Sequence, residues 1–494
     1  TRSKVGEKLV NIIVELSKYL MIICIAIYTY LCFSVFGYED EYKKRKLLRR
    51  QNRLMFAIHF MAYLVLYLKM DEVKVIAFYL IQIALLSGII LLYTKIYPKI
   101  SRLVVNNMCM LLTIGFIILT RLSFQKAIKQ CIIVAGSVLL SLVIPVAIRK
   151  MKKLADWTYL YAGIGLCALL LVLLLASTSG GAKLGFTIAG IGIQPSEFVK
   201  ISFVFFVAGR LQKSTEFKDV VVTTIIAAIH VIILVLSTDL GAALILFVVY
   251  LIMLYVATRQ PLYLMAGVAG GGVAAVAGYF LFSHVRTRVA VWRGPVSPQT
   301  PGGHQVAQSL FAIGTGSWFG MGLMQGAADK IPVATEDFVF AAIAEELGLI
   351  FALCMMLICV SCYVMFLNIA MQLRNTFYKL VALGLGTCYI FQIFLTIGGG
   401  TKFIPLTGVT LPLVSYGGSS VLSTIMMFAI IQGLYVLRED EEEIIERKKE
   451  RQKSKKQAFN GRRYNDSDGR RSGRPSRAAS EQPRRRAGAK KTTR

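Results

Sequence analysis

Charge is scarce in this chain: 17% of its 494 residues are Asp, Glu, Lys or Arg. A typical soluble globular domain carries about 25%, and here residues 157–182 and 220–238 carry none, so that class is excluded. Acid is scarcer than base, with 27 Asp/Glu against 56 Lys/Arg. Histidine is limited to His59, His230, His284 and His304, without an H-E-x-x-H or similar spacing, so no metal-ligand cluster is written in the sequence. The nine cysteines (Cys24, Cys32, Cys109, Cys131, Cys167, Cys354, Cys359, Cys362 and Cys388) fall in apolar segments, where cysteine behaves as a small hydrophobe. They suggest no disulfide framework, and the C-x-x-C of Cys359 and Cys362 lies inside a helix pattern with no ligand partners nearby. No small-residue cleavage site follows the first apolar run, which reads as a spanning helix rather than a cleaved leader.

What fills the chain instead is apolar sequence, 56% by residue. Windows able to cross about 30 Å of hydrocarbon fall at 10–37, 54–69, 74–95, 103–121, 128–148, 157–177, 195–212, 220–237, 240–257, 262–283, 338–368, 377–397 and 420–437. The expected fold is therefore an all-α polytopic membrane protein with thirteen spans, the second of them short. Lys43–Lys46 with Arg49 and Arg50, then Lys95/Lys99/Arg102, Arg149–Lys153, Arg210/Lys213, Arg259, Arg374/Lys379 and the tail alternate onto one side. Cations collect on the cytoplasmic side, which puts the amino terminus outside and the segments 178–194, 284–337 and 398–419 on the outer face.

The basic excess does not mark a nucleic-acid binder. From Arg447 to Arg494 the chain carries 19 Lys/Arg against 4 Asp/Glu, so half the excess sits in one tail. Glu439–Glu443 followed by Arg447–Lys449 suits an exposed helix with i,i+4 pairs. Beyond about Ala458 the Arg/Gly/Ser/Pro-rich sequence is expected to be disordered, a solvated segment attracted to anionic lipid.

Candidate chemistry gathers on the outer side. Segment 284–337 holds His284, Arg286, Arg288, Trp292 and Arg293, then Gly302-Gly303-His304-Gln305 with Gln308 and Ser309, then Gly314, Gly316, Gly320, Gly322 and Gly326. Arginine presents donors matched to phosphate oxygens and glycine lets backbone N–H groups approach an anion; a diphosphate fits, as does the plainer reading of arginines at lipid headgroups and glycines in turns. In Pro332–Gly348 a polar loop turns into an apolar helix carrying Asp337, Glu345 and Glu346. Asp337 is placed to cap that helix; the two glutamates would lie about two turns into the membrane, facing a cavity or a partner. Gln194-Pro195-Ser196-Glu197 with Lys200 opens another helix, its Glu197 and Lys200 three residues apart on one face. Asp239 sits in a tight connection, Lys183 adds an outer-side cation, and Pro405–Ser420 is irregular and rich in hydroxyls, a backbone tolerated at membrane depth only against protein or a wet cavity. Together these predict one outward-facing polar cavity. Gly267-x-x-x-Gly271 suits close helix packing.

From Leu103 to Leu437 the motifs resemble the SEDS (shape, elongation, division and sporulation) family of peptidoglycan glycosyltransferases. Gln194–Glu197 with Lys200 is similar to its QPSE-x-x-K, Asp239-Leu240-Gly241 to DLG, and Gln305–Ser309, Ala312–Gly314 and Phe319–Gly322 to its large extracellular loop. Asp337–Phe340 with Glu345–Gly348 is similar to TDFIFA…EELG, and Leu411–Ser420 to LPFVSYGGSS. The chain departs at Glu336 (usually Thr), His304 (Tyr), Leu184-Gly185 (Arg-Trp), the missing acid in Trp292–Pro295, and Thr396 (Asn). The resemblance implies a ten-helix core over 103–438, three extra helices over 1–102 and a cytoplasmic tail over 439–494. It further implies polymerisation of lipid II at the outer face of the bacterial cytoplasmic membrane beside a class B penicillin-binding protein, within the division or elongation machinery and without nucleic acid. Asp337 stands at the family's essential aspartate and would be the general base. Arg288, with Arg286, Arg293 and Lys183, would offset leaving-group charge; Gln305, Ser309, Ser415 and Tyr416 would contact substrate; Glu197, Lys200, Asp239, Glu345 and Glu346 would support the site. A divalent cation, Mg or Mn, is allowed for without assigned ligands. A lipid II flippase and a non-catalytic scaffold for the transpeptidase are the competing readings.

Overall fold

The computed structural model describes residues 4–151, 153–176, 185–188, 191–296 and 302–469. Lys183 lies outside them. The first compact unit, Thr1–Glu439, is built of helices. In order come α1 (Lys4–Ser34), α2 (Glu41–Met70), α3 (Val73–Ile96), α4 (Arg102–Leu122), α5 (Phe124–Ser141), α6 (Ile144–Lys150) and α7 (Thr158–Leu175). A small antiparallel hairpin follows, β1 (Phe186–Ile188) and β2 (Ile191–Ile193), with Phe186 opposite Ile193. Then come α8 (Pro195–Lys213), α9 (Phe217–Leu236), α10 (Leu240–Thr258), α11 (Pro261–Leu281), α12 (Ser283–Arg293), α13 (Gly303–Gly316), α14 (Val339–Leu347), α15 (Leu349–Gln372), α16 (Thr376–Gly400) and the start of α17 (Gly418–Gly469).

Local chemistry explains several boundaries. Asp40, Ser123 and Asn375 accept hydrogen bonds from the first-turn N–H groups of α2, α5 and α16. Proline opens α8 and α11, where no N–H partner is lost.

Twelve helices among the described residues are long and apolar enough to span a membrane. The thirteenth expected window is α8, whose 19 residues include Glu197, Lys200, Arg210 and Lys213; it is set apart by buried charge rather than by length. α4 is buried along nearly its whole length, packed by α2, α3, α5 and α15. Because lipid tails are as apolar as leucine, such packing rests on close van der Waals fit and on interhelical hydrogen bonds. Asn107 supplies two of them, accepting from Tyr28 of α1 and donating to Ser361 of α15.

One expectation is corrected. The window 338–368 is not one helix: it breaks at Gly348, which takes φ 92° and ψ 159°, a conformation essentially limited to glycine. Segment 284–337, between the spanning helices, carries α12 and α13 within it.

The second unit, Asp440–Arg494, continues as helix to Gly469, past the point where disorder was expected at Ala458. No proline interrupts the sequence before Pro475. Glu443 and Arg447 form the anticipated i,i+4 pair at 2.6 Å.

The break sets a test. A Cβ on Gly348 would stand 2.5 Å from the Phe319 carbonyl carbon, whereas one on Gly88 of α3 meets nothing within 4 Å. Gly348→Ala should cost on the order of 1–3 kcal/mol from backbone strain alone and lower the unfolding temperature in detergent. Gly88→Ala should leave it unchanged or raise it.

Candidate active site

The site is organised around the non-helical stretch 401–417 between α16 and α17. A buried peptide group without a partner costs free energy comparable to a lost hydrogen bond, and several elements supply partners here. Arg288 Nη1 donates to the carbonyls of Leu406 (3.2 Å) and Thr407 (2.9 Å), and Trp292 Nε1 to that of Lys402 (3.1 Å). Thr396 Oγ1 donates to Val409 O, Gln392 Nε2 to Thr410 O, and Gln130 Nε2 to Ser415 O. The stretch is thereby stitched to α12, α16 and α5. It also holds the segment ahead of α14: Tyr416 N donates to Thr335 O at 2.7 Å and Ser415 Oγ to Glu336 O.

Asp337 follows those two anchored carbonyls. It does not cap α14: the cap position is Phe338, with no side-chain bond, so the capping expectation is corrected. The Asp337 carboxylate is partly exposed and makes no hydrogen bond or ion pair among the described residues. Its Oδ2 lies 3.9 Å from where a Cβ on Gly408 would stand. Burial pushes its pKa up to about 6, the Glu336 charge adds to the rise, and Arg288 opposes it. Glu336 in turn pairs with Lys126 Nζ at 3.0 Å, which also donates to Thr335 Oγ1 at 2.8 Å and lies 5.2 Å from the Tyr416 ring centre. Arg288 is half-buried; burial disfavours its charge, while Asp239 and Asp337 favour it. Only its Nη1 is engaged among the described residues, leaving other guanidinium N–H donors for an anion.

The remaining carboxylates are committed to structure. Asp239 accepts from Ser196 Oγ (2.8 Å), Gln194 Nε2 (3.2 Å) and Ala242 N (3.1 Å), joining the starts of α8 and α10. Glu197 accepts from Lys200 Nζ (2.8 Å) and Ser423 Oγ (2.9 Å), and Lys200 also donates to Gln392 Oε1 (2.6 Å). Removing one partner of such a buried pair costs about 3–5 kcal/mol. Glu346 pairs with Arg121 Nε at 2.8 Å and accepts from Met324 N; Glu345 accepts from Ala327 N. Arg121 is in the last turn of α4, so these glutamates sit at the loop end of the bundle rather than two turns into the membrane. The physical reason is the break at Gly348.

Helical geometry separates the arginines. Residues seven apart share a face, and Arg286 and Arg293 are both exposed while Arg288 turns inward. Gln305 is half-buried on α13. Ser309 is fully buried, its hydroxyl donating to Gly400 O at 2.8 Å, and Ser415 is similarly engaged; neither hydroxyl has a proton left to donate to a substrate. The glycines expected around an anion are not gathered around one: Gly316, Gly320 and Gly326 lie against residues 344–348. Sequence reasoning missed Arg121, Lys126 and Gln130. The available signal was a pair of cations, Arg121 and Lys126, flanking a connection on the side otherwise poor in them.

Among the described residues no group of three His, Cys, Asp or Glu side chains could hold a metal ion.

Residues 101–439 match the family model for FtsW, RodA and SpoVE, described as cell cycle proteins. Over 303 residues the chain is 35% identical to peptidoglycan glycosyltransferase RodA of Mycobacterium tuberculosis, covering 58% of this chain and 65% of that protein's length. It is 30% identical over 335 residues to the probable peptidoglycan glycosyltransferase FtsW of Aliivibrio salmonicida, covering 65% of this chain and 83% of the relative. The fold is similar to a chain of a peptidoglycan synthase complex that coordinates polymerization and crosslinking (TM-score 0.59, 22% identity, 69% of this chain and 98% of that one). It is also similar to RodA of Thermus thermophilus (TM-score 0.51, 20% identity, 68% and 96%).

The electrostatics around Asp337 give a signed prediction. A reaction needing the ionised carboxylate gains rate as pH rises through about 6 and loses it below. Glu336→Gln removes a charge that raises this pKa, so the acid limb of the pH–rate profile should move to lower pH. A limb that stays in place would show that Glu336 does not act on Asp337.

Proposed function

The chain belongs to the FtsW/RodA/SpoVE family, and on that premise we propose that it is a peptidoglycan glycosyltransferase polymerising lipid II, with Asp337 as general base. The observation that carries this is the state of Asp337. Asp239, Glu197, Glu345 and Glu346 each accept at least one hydrogen bond, whereas Asp337 makes none among the described residues, is partly exposed and has its pKa pushed up to about 6. A base works best with a pKa close to the operating pH.

In this reaction the Asp337 carboxylate takes the proton from the GlcNAc 4-hydroxyl of the acceptor. The freed oxygen attacks the anomeric carbon of the lipid-linked donor and the bond to undecaprenyl diphosphate breaks with inversion, the single base standing opposite the leaving group. The open donors of Arg288 offset the charge that develops on the diphosphate. Arg286 and Arg293, on the outer face of α12, are left for lipid headgroups or a neighbouring chain. A divalent cation, Mg or Mn, would enter this proposal only as one carried by the diphosphate, where it would offset leaving-group charge, with no residue of the chain assigned to hold it.

Orientation is part of the proposal. The connections at the end opposite Asp337 hold Lys43–Arg50, Lys95–Arg102, Arg149–Lys153 and Arg259, which supports a cytoplasmic assignment for that end and an outer-face site in the bacterial cytoplasmic membrane. A class B penicillin-binding protein is the proposed partner, in keeping with the synthase complex that the fold resembles.

Glycan strands resolved on a gel test the reading. Asp337→Asn in folded protein, reconstituted with its transpeptidase partner, should lose about 10²–10⁴-fold in polymerisation rate. Strand synthesis at the parent rate would refute Asp337 as the base. Absence of strands from the parent protein would favour a flippase or a scaffold.

A further inference from the structure

The family match begins at residue 101, so it leaves α1–α3 unexplained. One contact of this extension reaches toward the site. Lys18, in α1, is 8% exposed, and an ionisable group so placed in a spanning helix is costly unless it is paired or working. Its Nζ pairs with Glu15 at 2.7 Å and donates to the Gly320 carbonyl at 3.2 Å. Two neighbours make the same approach: the Tyr19 ring lies 5.8 Å from that of Phe319, and Val14 Cγ1 lies 3.1 Å from where a Cβ on Gly322 would stand. Two successive turns of α1 therefore bear on Phe319–Gly322.

That segment is itself bonded to the end of α14. Met321 N donates to Glu345 O (2.8 Å) and Gly322 N to Glu346 O (2.9 Å), while Leu349 N and Ile350 N donate to Ser317 O and Trp318 O. A Cβ on Gly320 would lie 2.4 Å from Glu346 O, so the segment and α14 are in backbone contact with no slack. α14 is nine residues long and starts two residues after Asp337. A short, buried helix transmits a shift at one end to the other, because packed interiors do not deform continuously.

We propose that α1 is a positioning element for the catalytic aspartate: Lys18 clamps the Ser317–Gly322 segment against α14 and thereby sets where Asp337 stands. Lys18 touches no substrate and acts only through this chain of contacts. The inference rests on the proposed polymerase activity for its kinetic consequence, and on geometry alone for the clamp.

The test uses the full chain with Lys18→Met and Lys18→Arg, read by polymerisation kinetics and by amide hydrogen exchange over 317–326. A misplacement of about 1 Å at a reacting group costs on the order of 10²-fold. Lys18→Met should accordingly lower kcat at least about tenfold with KM nearly unchanged, and speed exchange at Met321 and Gly322; Lys18→Arg should restore both. Tyr19→Leu, at a ring 44% exposed, should shift both readouts the same way by less, and stands in if Lys18→Met fails to fold. Parent kcat and parent exchange in the substituted chain would overturn the clamp, as would a loss of kcat that arginine does not restore. If the parent chain makes no glycan, the functional reading falls and hydrogen exchange alone decides the clamp.

Discussion

The structure depends on satisfying irregular backbone at one end of a helix bundle. Stretch 401–417 makes no regular secondary structure, and its carbonyls are met by side chains of α5, α12 and α16. Those bonds bring three distant parts of the chain together, since Arg288, Gln130 and Gln392 reach the stretch only if their helices end at the same level. Thr335 and Glu336 then close onto it through Tyr416 and Ser415. Asp337 emerges between anchored neighbours with its own side chain unspent. An ionisable group without a partner is costly inside a membrane bundle and marks a candidate functional position.

The same accounting sorts acids that look alike in sequence. Glu345 and Glu346 hold the 324–327 backbone and Arg121, Asp239 ties two helix starts, and Glu197 lies in a buried network with Lys200, Gln392 and Ser423. Each is positioned by its partners and ties neighbouring segments together. The extra amino-terminal helices enter the same scheme by covering α4 and by meeting the Ser317–Gly322 segment that is bonded to the end of α14.

Much of the architecture was legible in the sequence. Apolar windows found the long helices because burial in lipid demands unbroken runs, and the motifs around Gln194, Asp239, Asp337 and Ser415 do converge. The misses have physical causes. Hydropathy cannot see a break made by one glycine dihedral, so α14 and α15 merged and the glutamates were placed too deep. Spacing alone could not say that Arg288 faces inward and Arg286 and Arg293 outward, because α12 was taken for loop. Lys126 and Arg121 were passed over despite flanking an outer connection, since their partners lie more than two hundred residues away, and Lys183 falls outside the described residues.

The proposed chemistry occurs where stretch 401–417, α12 and the segment before α14 meet. Photo-crosslinking tests it most directly, with lipid II bearing a diazirine on the sugar next to the diphosphate and adducts located by peptide mass spectrometry. The account predicts adducts within 283–293, 335–340 and 401–417. Adducts confined to the opposite end of the bundle, at 151–157, 214–216 or 373–375, would contradict it.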